Sequence, residues 1–192
     1  MSNTVKSYEA YAETYNTLVS AEPTDRHAGV LRAFADLVPI AGSVLEIGSG
    51  PGRDADYLET LGVEVRRTDA TQAFLDIQAR RGKHGDLVNV ITDELGGPYD
   101  GVLAECVLIH VGHAQIDAVL GKIAAALRPG GAFLVSVRDG DGETDGDYLM
   151  AYWRRPDFAA RLAAAGFEIT WDDHHIDCDG DAWLTFLTRR TR

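Results

Sequence analysis

Apolar residues follow two different spacings along this chain, and the spacing switches where glycine, proline or aspartate intervenes. Steps of three and four residues predict helices. They occur over about residues 5–20 (Tyr8, Tyr11, Tyr15), 27–38 (Val30, Leu31, Phe34, Leu37, Val38), and 72–81 (Phe74, Ile77). The same spacing recurs over 116–127 (Ile116, Val119, Leu120, Ile123, Leu127) and from Phe158 through Leu162 to Ala165. Pro39 stops the second of these helices, and Gly166 closes the last. Between them lie short apolar runs that read as buried strands: Val44–Ile47, Val63–Arg67, Leu87–Ile91, Tyr99–Cys106 and Ala132–Val137. Two more, 167–171 and 183–187, follow each other with no helix between, which favours an antiparallel pair. Strands alternating with helices predict an α/β fold with a mostly parallel, doubly wound sheet.

One junction carries candidate chemistry. The strand Val44-Leu45-Glu46-Ile47 runs into Gly48-Ser49-Gly50-Pro51-Gly52, and a helix follows from Arg53. Glycines let the backbone turn tightly and approach a ligand with no Cβ in the way, and the helix start presents free N–H groups. The third glycine falls one residue early for the dinucleotide fingerprint, whose place is taken by Arg53. Glu46, two positions before the first glycine, suits a ligand with an amino-bearing or cationic end better than a pyrophosphate.

A second acid, Asp69, ends the next strand about 17 positions beyond the turn. There a carboxylate is placed to accept hydrogen bonds from two ribose hydroxyls, although Asp69 or Thr71 would also serve as a helix N-cap.

At these residues the chain resembles the class I S-adenosylmethionine-dependent methyltransferases of small-molecule type. Glu46-Ile47-Gly48-Ser49-Gly50-Pro51-Gly52 is similar to that family's first motif, Asp69 to its second, and Tyr99-Asp100-Gly101-Val102 to its fourth. Leu127-Arg128-Pro129-Gly130-Gly131 resembles the L-x-P-G-G turn that precedes its fifth strand. Tyr11-Ala12-Glu13-Thr14-Tyr15 resembles a Y-A-x-x-Y element that closes over the cofactor, although the tyrosines of this face would equally pack the helix on the core. The resemblance covers about residues 5–190 and implies a seven-stranded, mostly parallel, Rossmann-like sheet with an antiparallel edge strand. It implies S-adenosylmethionine as cofactor, held by Tyr15, Glu46, Gly48, Ser49, Gly50, Gly52, Asp69, Ala70 and Glu105, with Thr92 and Asp93 flanking the adenine.

Substrate-side residues are harder to read. His110 is the candidate base, and Tyr11, His113, Arg138, Tyr148 and Trp153 are candidate acceptor contacts. Methyl transfer from a sulfonium is an in-line displacement that needs no leaving-group acid, so no fixed triad is expected. The acidic stretch Asp139–Asp147 only partly matches a calcium loop, because its twelfth position is Tyr152 and no helix leads in. No metal site is expected there, nor at His174, His175, Asp177 and Cys178, where adjacent histidines on extended chain point opposite ways.

Composition narrows the partners. A formal net charge of −12 argues against a nucleic-acid surface, and no apolar run approaches the length of a membrane span. Two cysteines without a C-x-x-C, and no secretory signal, fit a cytoplasmic protein. The 192 residues predict one methyltransferase domain, as monomer or homodimer, with a small-molecule substrate. Within it residues 1–40 form a helical cap, 41–138 the cofactor core, 139–157 an acidic lid-like loop, and 158–192 the last helix and strand pair. The rival readings are a non-catalytic binder of S-adenosylmethionine or S-adenosylhomocysteine, and an NAD-dependent oxidoreductase, against which the early third glycine and Glu46 count.

Overall fold

A computed structural model describes residues 2–191. Two helices come first: α1 (Asn3–Leu18), with Ser2 accepting the Val5 N–H at its start, and α2 (Asp25–Ala35), with Thr24 doing the same for His27. The alternating core follows as β1 (Ser43–Ile47), α3 (Arg53–Thr60), β2 (Glu64–Asp69), α4 (Gln72–Arg80), β3 (Gly85–Leu87) and β4 (Tyr99–Ala104). A 3-10 turn (Leu108–His110) leads to α5 (Ile116–Ala126) and the long β5 (Leu127–Asp139). Short β6 (Glu143–Thr144) and β7 (Met150–Trp153) precede α6 (Arg155–Ala164), β8 (Phe167–Ile176) and β9 (Ala182–Arg190).

The sheet runs β3-β2-β1-β4-β5, parallel throughout, and β9 then pairs antiparallel with both β5 and β8. Chain order reverses between β1 and β4, so the crevice beyond their carboxyl ends is the switch point where such sheets bind ligands.

Residue parity decides which face each strand side chain buries. Leu45 and Ile47 join Val102, Phe133 and Val135 in a core under α5 and α6, while Val44, Leu103 and Leu134 pack with Leu31 and Phe34 of α2 on the other face. Each fully buried side chain of this size contributes roughly 1.5–3 kcal/mol of transfer free energy. A smaller cluster of Ala12, Phe74 and Ile77 seats α1 on α4, reinforced where Glu9 accepts the Gln72 and Ala73 N–H groups at 2.6 and 3.1 Å.

Three expectations are revised. The sheet has nine strands rather than seven, because the acidic stretch folds into β6 and β7 instead of remaining a loop. β5 outruns β4, whose last paired residue is Ala104, and β7 takes the vacant edge by pairing with Arg138 and Asp139. The third strand is the edge strand Gly85–Leu87, with Leu87 58% exposed, because Asn89 and Asp93 fold the following residues into a turn. Finally, the strand predicted over 167–171 runs on through His174 and His175 to Ile176 as β8.

Candidate active site

The first glycine turn is built by close backbone approach. Gly48, Gly50 and Gly52 all have positive φ, at 68°, 53° and 87°. A Cβ on Gly48 would meet Val107 Cγ2 at 2.5 Å, so only glycine lets the turn pass that side chain. Around the Cβ position of Gly50 there is no atom within 4 Å: this glycine faces open space.

Buried polar groups hold the turn from behind. Gln78, fully buried on α4, donates to the Gly50 carbonyl at 2.8 Å and the Ser49 hydroxyl at 3.0 Å. Arg67, 2% exposed, donates to the Gly52 carbonyl at 3.2 Å and pairs with Asp56 and Glu59 at 2.8 and 2.7 Å. The two carboxylates more than offset the cost of burying that charge and hold the guanidinium above its ordinary pKa.

In front of the turn lies a cleft with an internal volume of about 140 Å³. Its floor is Ile47, Gly48 and Gly50 at the end of β1; Asp69, Ala70 and Thr71 border it at the end of β2. The far wall is Val88–Ile91, and the near wall is Glu105–Val107 with His110 and Val111. Helix α1 roofs it with Val5, Tyr8 and Tyr15. A second lobe continues past Gly48 and Glu105 to Arg53, Asp54 and His27.

The cleft's polar groups are mostly acceptors. Asp69 receives the Gly50 and Thr71 N–H groups, both at 2.8 Å, which leaves lone pairs on each oxygen for hydroxyl donors. Burial nevertheless pushes its pKa up, against those backbone bonds. Glu105 carries a buried Oε1 without a partner, and burial, with Asp54 nearby, raises its pKa to about 7. Across the second lobe His27 bonds Asp54 at 3.0 Å and stands 4.0 Å from Glu105; these carboxylates outweigh burial and raise its pKa.

Glu46 sits behind the turn, 4% exposed, with Oε2 unpartnered. Burial and the nearby Asp54 charge push its pKa to about 8. Hydroxyl-acceptor carboxylates, an unpartnered buried Glu105 oxygen and a glycine open to the cleft together fit a ribosyl ligand with a cationic tail.

On the acceptor side Tyr8 contributes a hydroxyl 3.0 Å from His110 Nε2, and His110 Nδ1 is 2.7 Å from the Leu149 carbonyl. A carbonyl only accepts, so Nδ1 carries the hydrogen and Nε2 accepts from Tyr8. Burial lowers the His110 pKa and keeps the ring neutral. Tyr148 stacks edge-on against Tyr8 at 4.8 Å and lies 6.2 Å from the His110 ring.

Not every sequence-predicted residue arrives at the cleft. Tyr15, Gly48, Gly50, Asp69, Ala70, Glu105 and His110 line its main part, and Ser49 its second lobe. Glu46 and Gly52 lie behind the turn. Thr92 and Asp93 face solvent, and Asp93 instead accepts the Asn89 N–H at 2.9 Å; the wall opposite α4 is the preceding Val88–Ile91. Tyr11 is 37% exposed and touches the cleft only through the edge of Tyr15.

His113 and Trp153 stack at 4.2 Å beside a separate crevice, with the His113 ring held on the Tyr152 carbonyl. Arg138 turns toward β9, over the Trp183 ring at 4.3 Å and paired with Asp181. Gln78 was not picked out by sequence pattern as a turn residue. Tyr8 was legible only as one of three tyrosines on a helix face that could cap the site, and Cys106 as the end of the fourth strand, whose residues Ala104 to Cys106 are expected to edge the pocket; both line the cleft.

Comparison with known proteins agrees with this geometry. A family profile described as a methyltransferase domain matches residues 45–133. A solved 1,6-didemethyltoxoflavin-N1-methyltransferase of Burkholderia thailandensis, bound to 1,6-didemethyltoxoflavin and S-adenosylhomocysteine, is 26% identical. It superposes with a TM-score of 0.76, over 98% of this chain and 85% of that one. Residues 45–133 thus match a methyltransferase domain, and the fold is that of S-adenosylmethionine-dependent methyltransferases.

The fold of the CcbJ methyltransferase from Streptomyces caelestis also matches, with a TM-score of 0.79 over the whole of both chains at 20% identity. A trans-aconitate 2-methyltransferase of Methylobacterium nodulans is 31% identical over 164 residues, 80% of this chain and 62% of its own length. The chain thus spans less than two thirds of that relative, and 39% of a second curated relative. No helix among the described residues is long and apolar enough to cross a membrane, and no group of three or more potential ligands there could hold a metal.

Proposed function

We propose that this chain transfers a methyl group from S-adenosylmethionine to a small molecule. The observation that carries this is the shared placement of Gly50 and Asp69. The open glycine and the buried carboxylate are bonded to each other at 2.8 Å on the floor of one cleft, at the sheet's switch point. The toxoflavin-precursor and trans-aconitate methyltransferases named above act on small molecules by their names, which supports this reading.

In this reading Asp69 accepts the ribose hydroxyls, and Val88–Ile91 with Phe74 form an apolar slot for the adenine. Glu105 receives the ammonium end in the second lobe, and Glu46 stiffens the turn from behind. Tyr15 and α1 close over the top and exclude water. The bound cofactor would supply an electrophilic methyl on a sulfonium. The chain's task is then to hold the acceptor atom in line with it and, where that atom bears a proton, to remove the proton at His110.

Calorimetry with S-adenosylhomocysteine tests the binding half: the expected result is saturable one-to-one binding lost in Asp69→Ala. Incubation with methyl-labelled S-adenosylmethionine and a small-molecule library tests the transfer half. Binding without labelled product in any compound would favour a non-catalytic binder; selective protection by NAD in a melting assay would favour an oxidoreductase.

A further inference from the structure

Resting on the methyl-transfer reading, we propose that the acceptor is a flat, uncharged compound with an acidic O–H or N–H, and that Tyr8 relays its proton to His110. Three observations converge on this. The first is the hydrogen-bond chain Tyr8 Oη–His110 Nε2–Nδ1–Leu149 O, at 3.0 and 2.7 Å. Its polarity is fixed, because only Nδ1 can donate to the carbonyl. His110 therefore has no lone pair left for an acceptor, but Tyr8 has, since its oxygen donates one hydrogen and keeps two acceptor positions. A proton leaving the acceptor reaches the base through the phenol.

The second observation is the shape of the surroundings. The Tyr8 and His110 rings line the end of the cleft beside Cys106, 5.4 Å apart, and Tyr148 packs against both at 4.8 and 6.2 Å. Such a corner of tilted rings grips a flat π-system by edge and face contacts.

The third is the charge of the lining. Among the described residues, no Lys or Arg lines the main cleft, whereas Asp69 and Glu105 do. In the second lobe Arg53 is committed to Asp54 at 3.1 Å, and His27 to Asp54 at 3.0 Å. An acceptor that arrives as a di- or tricarboxylate would be desolvated with no Lys or Arg side chain of the main cleft to pair it. A main cleft without a Lys or Arg side chain therefore favours an acceptor that is not a polycarboxylate.

The step balances. The acceptor's lone pair forms the new bond to the methyl carbon while the carbon–sulfur pair returns to sulfur as a neutral thioether. The acceptor's proton passes to Tyr8 Oη as the Tyr8 proton passes to Nε2, leaving an imidazolium between Tyr8 and Leu149, which discharges to solvent. The titratable groups facing this chain are Tyr15 from α1, Tyr148 from the segment before β7, Cys106 from the end of β4, and Asp69 from β2. None is a cation that would compete for the role.

The test uses the full chain with methyl-labelled S-adenosylmethionine and three acceptor sets: simple phenols, N–H heteroaromatics, and di- and tricarboxylates such as citrate and aconitate. The expected result is label in the first or second set and none in the third. Tyr8→Phe and His110→Asn should each lower kcat about 100-fold. Both should also erase the acid limb of the kcat–pH profile. Their affinity for S-adenosylhomocysteine by calorimetry should stay within about threefold of wild type. Label in the carboxylates alone, or in no set, would overturn the acceptor class; variants that raise KM but keep kcat and the acid limb would overturn the relay. Failure of the wild type to bind S-adenosylhomocysteine would strike the underlying reading instead.

Discussion

Asp69 Oδ2 lies 2.8 Å from the Gly50 nitrogen, so the carboxylate ending β2 is tied to the turn ending β1. The same side chain accepts from Thr71 at the start of α4. One buried group thus sets the spacing of the two strand ends that floor the cleft. Asp69→Asn keeps the size but puts a donor where an acceptor is needed. Loss of one hydrogen bond to a charged group costs about 1.5–3 kcal/mol, a reduction in S-adenosylhomocysteine affinity of roughly ten- to a hundredfold. Calorimetry at constant salt would read this directly.

Gln78 should matter for both stability and affinity. Its amide is the partner of the Gly50 carbonyl and the Ser49 hydroxyl, and no water-exposed route replaces it. Gln78→Leu leaves buried acceptors unpaired, at a cost of about 1–3 kcal/mol. Denaturant melts should show that loss, accompanied by weaker ligand binding because the turn loses its support.

Two glycine substitutions should separate strain from occlusion. At Gly50 an alanine meets no atom, so Gly50→Ala costs only the left-handed backbone penalty, about 1–2 kcal/mol. Its methyl then projects into the cleft and lowers ligand affinity. At Gly48 the added methyl strikes Val107 as well, so Gly48→Ala should destabilise the fold more. A thermal melt and a ligand titration on each variant would show whether the two losses diverge in this way.

These positions also mark how far the sequence could be read. Gly48, Gly50 and Asp69 were legible because glycine spacing and a strand-end acid are local patterns, and local patterns survive without coordinates. Helices were legible for the same reason, through the spacing of Ile116, Val119, Leu120 and Ile123. Val88–Ile91 looked like an internal strand because apolarity does not say whether a residue faces a sheet neighbour or a cavity. The directions of His113, Arg138 and Trp153 depended on β7 pairing with the overhang of β5, a contact between distant segments that no short pattern encodes. Gln78 was invisible because a helical glutamine is ordinarily solvated.

Glu46 should tilt the pH dependence of stability. Its pKa is 4.5 in an unfolded chain and about 8 here. The folded state therefore holds the extra proton between those values, and the stabilisation present below 4.5 is lost as pH rises through 8. Glu46→Gln removes that slope. Urea midpoints across this range, wild type against variant, would show the difference as a flattened curve.

Glu105 predicts a proton released on binding. Near neutral pH its carboxyl, at about 7, is partly protonated, and a cation placed beside its unpartnered oxygen would favour the ionised form. Calorimetric enthalpies for S-adenosylmethionine in buffers of different ionisation heat should differ in proportion. Glu105→Gln should abolish the dependence.

The overhang of β5 leaves a strip of free hydrogen-bonding edge just beyond the floor of the cleft, which β7 occupies. Whatever segment is spliced there inherits a ready docking rail, and it meets the glycine turn nowhere. Because the same segment carries the Leu149 carbonyl that holds His110 and is bonded to α1 through Thr4 and Ser7, exchanging Gly140–Trp153 would reset the acceptor side and the roof of the cleft together.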